Sequence, residues 1–550
     1  TREGSASEYC YIYDAKTGKG SCGGVLCALI GGNPKILGIH TSGNGISGCA
    51  NRVLMHSDEG VARVINTSEK PLYHQPRRTA YHKNPLYCDS GVEPAVLSRL
   101  DLRLEEPLED VTKAAASKYC GNTFDPPPRP YNAAFAKVGA LLHSVVDKTG
   151  CLAYEVAASS DLLPIDWSTS PGLKYQGRTK RDLVQDLKFR EECEEQLASP
   201  HTVFTTYLKD ELRPKEKIRL GKTRAIEAAS FDYTIGYRMV MGKIYHQIYE
   251  DREAACGIAV GLNPYTDFNG LYQKCKDWVV CLDFKGFDGS LPPELMRSAV
   301  EILASFHVDP ALVRRIHEPT IVSHQLVSNE LWETNGGMCS GSPCTTVLNS
   351  ICNNLAAWCV MLSCGADYDD MYICSYGDDL VVSSGKQFPL DNVQLFYKQF
   401  FGMTATAADK TDKLTWEPKQ NMTFLKRTPK VVEDVGTQVV GVLDLKSMMD
   451  KIQWTKGGHF QEQLDSFCLE LVLHGQAVYE DTEKLFKERY PNVRMMPYQI
   501  ALAHMKDIAY SNQGKSLEGP FKDGWEAQSV QQAADCATIL HLTATGSNED

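Results

Sequence analysis

The sequence predicts an α+β chain with a small β-rich segment in front, and three observations carry that reading. The first sixty residues are rich in Gly, Ser and Thr, with short apolar runs (Val25 to Ile30, Ile36 to Ile39) between glycine turns, the pattern of small β-hairpins. From about Val92 helical patterns alternate with loops. Two strand-like runs, Met371 to Ser375 and Leu380 to Ser384, flank Tyr376-Gly377-Asp378-Asp379, a hairpin signal.

Length and composition bound the rest. The 550 residues leave room for about three or four average domains. At 43% hydrophobic and 23% charged, the composition excludes wholesale disorder, collagen and coiled coil. The 57 basic and 69 acidic residues sum to −12. That sum does not point to nucleic acid, whose partners usually carry basic surfaces, but a net charge averages over a surface and a site does not. The 19 cysteines are scattered without a CxxC pair; Cys22/Cys27, Cys339/Cys344 and Cys359/Cys364 each have four residues between them. Zinc frameworks need tighter pairs and disulfide scaffolds belong to short secreted chains, so the thiols read as reduced core residues of a cytosolic protein. No signal peptide opens the sequence, and its longest apolar run, Leu355 to Leu362, is far too short to span a bilayer. The expectation is a soluble intracellular protein.

The elements follow in order. The cluster Asp125-Pro126-Pro127-Pro128-Arg129-Pro130 cannot be helix interior and reads as an extended connector. Trp278 to Leu282 is a short apolar strand that runs into Asp283. Asn349 to Leu362 places Ile351, Leu355, Trp358 and Leu362 on one face of a helix. Beyond about Asn512 the sequence is polar and Gly-rich, with six acidic residues against two lysines, and reads as loosely ordered.

Chemistry concentrates at two aspartate sites. Asp283, with Asp288 five residues on, and the pair Asp378-Asp379 would converge on one sheet edge if their strands are neighbours. Such carboxylates repel one another unless cations neutralise them, and hard oxygens with open positions suit Mg²⁺. Gly-Asp and Asp-Gly are also common in ordinary turns. Lys209 to Arg224 holds seven basic and three acidic residues, a local +4 that suits a triphosphate channel or a solvated charged face. Its Gly221-Lys222-Thr223 is not a P-loop, because Glu216 stands where the first glycine belongs. Gly336 to Thr345, followed by Asn349, offers small residues for close backbone approach to a ligand, and hydroxyls and an amide for a sugar. In front, Gly20-Ser21-Cys22-Gly23-Gly24 places a thiol among glycines, as nucleophile loops do, and His40 could by residue type pair with it.

Together these motifs resemble the picornavirus polyprotein segment that joins the main cysteine protease to the RNA-dependent RNA polymerase, to about residue 510. The resemblance implies a right-hand fold of fingers, palm and thumb enclosing a channel, preceded by a partial β-barrel from a chymotrypsin-like protease. Its segments would be 1–59 protease fragment, 60–240 fingers, 241–315 palm, 316–336 fingers insertion, 337–428 palm, 429–510 thumb and 511–550 a polar acidic tail. Cys22 matches the protease nucleophile, and Thr17 and His40 match residues that read the substrate side chain. The catalytic base belongs to a first barrel absent here, so the fragment should be inactive. Glu59-Gly60 fits a processing site, and the freed Gly60 would brace the active site, leaving the uncut chain a poor polymerase.

The same resemblance distributes the polymerase roles. Asp283 and Asp378 would bind two Mg²⁺ ions, with Asp379 assisting and Mn²⁺ able to substitute. Asp288, Ser340, Thr345 and Asn349 would sense the 2′-hydroxyl, and Lys209, Lys217 and Arg224 would contact the incoming triphosphate. Lys410 matches a residue that protonates pyrophosphate, and Phe424-Leu425-Lys426-Arg427 matches a primer-grip turn. Ser168 to Gly172 resembles an element near the template entry. Implied partners are single-stranded RNA template and product, ribonucleoside triphosphates, a small viral protein primer and the viral protease. The implied location is the host cytoplasm, on replication membranes through partners. Two other readings stay open: a reverse transcriptase, and a non-catalytic RNA-binding processing precursor.

Overall fold

Strand Trp278–Phe284 shows how the sheet that carries the acidic residues is built. It is apolar almost throughout because it is covered on both faces: Val280, Leu282 and Phe284 enter the largest core cluster, and Val279 enters a second one with Val381, Phe268 and Leu271. The computed structural model describes residues 62–106, 108–119, 123–408, 413–432 and 438–511, together with the backbone of four earlier strands. Those four, β1 (Cys10–Tyr13), β2 (Val25–Ile30), β3 (Asn33–Gly43) and β4 (Gly48–Arg52), form an antiparallel sheet in the order β1-β4-β3-β2. The hairpins expected in this segment are present.

The strands that position the site follow in chain order as β5 (Ala62–Thr67), β6 (Val203–Leu208), β7 (Ala225–Ala228), β8 (Trp278–Phe284), β9 (Val322–Val327), β10 (Glu330–Asn335), β11 (Met371–Tyr376), β12 (Asp379–Ser384) and β13 (Ala405–Ala407). They make two five-stranded sheets. One runs β7-β6-β9-β10-β5, with β6 and β9 parallel and the other pairs antiparallel. The other runs β11-β12-β8-β13, wholly antiparallel, with the short strand Glu417–Pro418 also on β8.

Five helices matter here: α1 (Pro128–His143), α2 (Phe231–Tyr249), α3 (Phe287–Ser290), α4 (Thr345–Ser363) and α5 (Phe460–Leu471). The proline cluster differs from its expected role as a connector. Pro128 and Pro130 open α1, because proline has no N–H to lose in a first turn and its φ already suits the helix. α4 starts one turn before Asn349, and it is buried from Val347 to Met361 on every side, not on one face. It lies between the β8 sheet and the α1 residues Ala134, Val138 and Leu142, within one core. Val92, expected to begin helical structure, instead lies in a short strand, Val92–Pro94, that pairs with Leu212–Pro214.

The expected segment bounds cut across the packing. The 240/241 boundary falls inside α2, and α1 shares its core with α4 rather than with the strands of 60–240. The early chain also crosses to the C-terminal helices: Tyr81–Lys83 pairs with Trp454–Lys456, Leu86 sits in the core formed by residues 432–509, and the Cys88 N–H donates to Gln453 Oε1 at 2.9 Å. β5 thus lies on the edge of one sheet, while Leu86 sits in the core of the C-terminal helices.

Candidate active site

Sheet register brings the acidic residues together. Leu282 of β8 faces Leu380 of β12, so Asp283 and Asp379 stand at the same edge of neighbouring strands. Gly377 and Asp378 form the two-residue turn between β11 and β12, with Gly377 at φ 62° in the first central position, where a II′ turn requires glycine. α4 pins that turn: the Gly377 N–H donates to Ser350 Oγ at 2.8 Å, and Asn353 Nδ2 donates to the carbonyls of Gly377 and Asp378 at 3.0 and 3.1 Å.

The carboxylates feel one another. Protein crowding around the turn, then the negative charges of Asp288 and Asp283, push Asp378 up to about 6, with Arg224 pulling the other way. The Asp378 side chain still reaches solvent at the turn, so its raised pKa reflects its surroundings and not full enclosure. Burial, Asp378 and Asp283 push Asp379 up to about 7, opposed by Lys426. A cluster of mutually repelling hard oxygens fits a divalent cation. As the side chains stand, however, no three His, Cys, Asp or Glu groups among the described residues converge on one ion position. One contributor is visible: Asp283 Oδ1 is turned back to accept its neighbour Phe284 N–H at 2.9 Å.

Beside the aspartates lies a hydrogen-bonded constellation. Asp288, on the short α3, accepts from Ser340 Oγ at 2.7 Å and from Asn349 Nδ2 at 2.8 Å. Asn349 Oδ1 is buried and has no hydrogen-bond partner. Thr345 is not joined to this group: its hydroxyl donates to the carbonyls of Cys339 and Ser342 at 3.0 and 2.9 Å and braces the loop. The glycines of that loop serve protein contacts where ligand approach was expected. A Cβ on Gly337 would meet the Tyr119 ring at 2.4 Å, and one on Gly341 would meet the Glu227 carbonyl at 2.6 Å.

The basic stretch is organised around one buried acid. Glu211 is 3% exposed; Arg224 grips it through two nitrogens, Nε at 2.6 Å from Oε1, while Lys209 and Arg213 stand at 3.6 and 3.7 Å. The extension of the β6–β7 pair sets Lys209 opposite Arg224, the Lys209 N–H donating to the Arg224 carbonyl at 2.9 Å. Lys217 lies on the following short helix, Lys215–Arg219.

At Phe424–Arg427 two backbone hydrogen bonds of 3.0 Å close a turn, with Leu425 and Lys426 both left-handed at φ 60° and 59°. Phe424 and Leu425 are buried and Lys426 is exposed. Arg427, expected with them at a primer grip, points inward instead: it is fully buried, with Nη2 2.6 Å from Glu470 Oε1 on α5. Lys410, Cys22, Thr17, Glu59 and Gly60 lie outside the described residues, as does the segment 512–550, and His40 is placed only as a backbone position in β3. Motif reading missed Lys118, Glu227 and Glu470. Isolated charged residues in ordinary helical or strand sequence carry no spacing signal.

A family model described as viral RNA-dependent RNA polymerase matches residues 85–490, and one described as 3C cysteine protease (picornain 3C) matches residues 1–45. The genome polyprotein of Ljunganvirus 1 is 38% identical over 533 residues, which are 92% of this chain and 24% of that polyprotein. That of Human parechovirus 2 (strain Williamson) is 35% identical over 539 residues, 93% of this chain and 24% of its own length. The chain thus spans about a quarter of the length of the curated relatives it matches. Among solved structures, a Sicinivirus 3Dpol RNA dependent RNA polymerase superposes with a TM-score of 0.74 at 26% identity, covering 81% of this chain and 99% of that one. A polymerase family match over residues 85–490, a protease match at the front and picornaviral polyproteins as relatives mean that this chain belongs to the picornaviral RNA-dependent RNA polymerases, with the C-terminal part of a 3C cysteine protease at its front.

Proposed function

We propose that the chain copies an RNA template in the host cytoplasm by two-metal nucleotidyl transfer. A 3′-hydroxyl, or the tyrosine hydroxyl of a small viral protein primer, attacks the α-phosphorus of a ribonucleoside triphosphate, and pyrophosphate leaves. The observation that carries this reading is the meeting of Asp283, Asp378 and Asp379 at one sheet edge beside the Asp288–Asn349 pair. Asp283, Asp378 and Asp379 would hold the ions. When bound, Mg²⁺ supplies an activated hydroxyl and neutralises the leaving group's charge.

The chain's own groups do the rest. Arg224 and Lys209, held in place by Glu211, and Lys217 orient the triphosphate. Asn349 Oδ1, buried without a partner, offers an acceptor to a ribose 2′-hydroxyl; a deoxyribose would leave it unsatisfied. That unpaired acceptor favours RNA synthesis over the reverse-transcriptase reading. Lys426 stands at the turn beside Asp379, where a primer strand would pass. Lys410 as proton donor to pyrophosphate, cleavage at Glu59-Gly60, the inactive protease segment, the protein primer and attachment to replication membranes through partners belong to the same proposal and rest on the family resemblance.

Primer extension on a polyadenylate template with Mg²⁺, before and after cleavage at Glu59-Gly60, tests it. Elongation by the cleaved chain that Asp378→Ala abolishes is the expected result. A cleaved chain that binds RNA without elongating it would favour the non-catalytic precursor and sink the proposal. Peptide cleavage that disappears in Cys22→Ala would overturn the inactive protease segment.

A further inference from the structure

Lys118 belongs to no motif, yet its amine lies beneath the sugar-sensing group. It follows the short helix Val111–Ala116, and its Nζ donates to Glu227 Oε2 and to Ser340 Oγ, each at 2.8 Å. Glu227, on β7, is fully buried and also accepts the Ser340 backbone N–H at 3.0 Å. Burial opposes the charge on Lys118, but Glu227 and Asp288 outweigh it and the amine stays protonated. The backbone here cannot slip. A Cβ on Gly289 would fall 2.1 Å from the Lys118 carbonyl oxygen, and the Gly337 and Gly341 contacts lock the facing segment.

The chemistry of these groups fixes the direction of every hydrogen bond. An ammonium can only donate, so Ser340 Oγ accepts from Lys118 and must give its single proton to Asp288 Oδ2. An ionised Asp288 can only accept, so Asn349 turns its amide nitrogen to Oδ1 and leaves its own carbonyl oxygen unpaired. Without Lys118, Ser340 Oγ would lose the ammonium that fixes its rotamer toward Asp288 Oδ2, and Glu227 would be left a buried carboxylate without its cation. We propose that Lys118, with Glu227, is a positioning residue for ribose selection, directing the relay from Ser340 through Asp288 to Asn349. The inference rests on the reading of Asp288, Ser340 and Asn349 as the residues that sense the sugar.

Single-nucleotide extension of a primed RNA template by the cleaved chain tests it, comparing kcat/KM for ATP and dATP. Lys118→Met should lower the ATP:dATP ratio at least tenfold, mostly by raising KM for ATP, and Lys118→Arg should recover most of the ratio. If Lys118→Met fails to fold, Lys118→Met/Glu227→Gln, which leaves no unpaired buried charge, should show the same tenfold loss. A ratio within twofold of the parent in the foldable variant, while Asp288→Ala loses discrimination, overturns the role of Lys118 and leaves the sugar reading standing. A ratio unchanged in Asp288→Ala overturns the sugar reading and this inference with it.

Discussion

Arg427 is the residue whose replacement says most about how the C-terminal helices are fastened to the acidic sheet. Its guanidinium is fully buried, donates to both Glu470 oxygens at 2.6 and 3.2 Å and to the Gly441 carbonyl at 2.7 Å, and lies 5.4 Å from the Tyr265 ring. Tyr265 also donates its hydroxyl to Glu470. Arg427→Met keeps the apolar bulk and strands a carboxylate that is 5% exposed. Removing one partner of such a pair costs about 3–5 kcal/mol. Arg427→Met/Glu470→Leu removes both charges and leaves only the Gly441 carbonyl and the Tyr265 hydroxyl unpaired, a loss of about 2 kcal/mol. The double variant should therefore be more stable than the single one by at least about 1 kcal/mol. Urea unfolding followed by tryptophan fluorescence measures both. A single variant within about 1 kcal/mol of the parent, or a double variant no better than the single, would show that the pair does not hold this junction. Lys426→Ala provides the contrast: that side chain is exposed, so elongation should fall while stability moves by less than about 0.5 kcal/mol.

Other outcomes follow from the same geometry. Asn349→Ala removes the unpaired acceptor and should cut discrimination between ATP and dATP at least tenfold in competitive incorporation, with a stability loss of about 1–2 kcal/mol from the lost bond to Asp288. His317 is fully buried with Nε2 2.7 Å from the Tyr237 hydroxyl, and burial pushes its pKa down to about 4. Between an unfolded value of about 6.5 and that folded value the unfolded chain binds more protons. Stability that is full above the unfolded value is therefore lost as pH falls, by about 3 kcal/mol in all, and thermal melts should show His317→Gln removing that slope. Gly286→Ala and Gly337→Ala both place a side chain at positive φ, at 63° and 73°, but only the second drives it into the Tyr119 ring. Melting should show a cost of about 1 kcal/mol for the first and roughly 3 for the second.

What could be read in advance was whatever short-range pattern encodes. The apolar run into Asp283 and the Gly377-Asp378 turn both appear where residue order places them, because each strand's alternation and each turn's glycine are local properties. The proline cluster was misjudged because a first helical turn tolerates the residues that an interior excludes. The burial of α4 on every side was not visible, since apolar and small residues around a helix look the same whether one neighbour or three cover it. Asn349 and Asp288 carry the motif, but the bond between them joins positions 61 residues apart and depends on how α3 and α4 pack. Arg427 shows the same limit from the other side. Placed beside an exposed lysine in sequence, it is turned into the core by a left-handed turn that two non-glycine residues adopt.

The local charge of the basic stretch is organised around Glu211. Under the proposed function, a protein with a net charge of −12 has to present cations to a polyanion without letting those cations collapse onto Asp283, Asp378 and Asp379. Three cations, Lys209, Arg213 and Arg224, share one buried carboxylate, so the group keeps a surplus of positive charge while each side chain is tethered. Arg224 still acts across the gap, pulling down the pKa that crowding and like charge raise at Asp378. Because a surface ion pair contributes little and a buried unpaired charge costs several kcal/mol, the acid must be the enclosed member and the bases the outer ones. Reversing that order would enclose the cations and leave the acid at the surface. The acidic residue within the stretch is therefore what tethers its three cations.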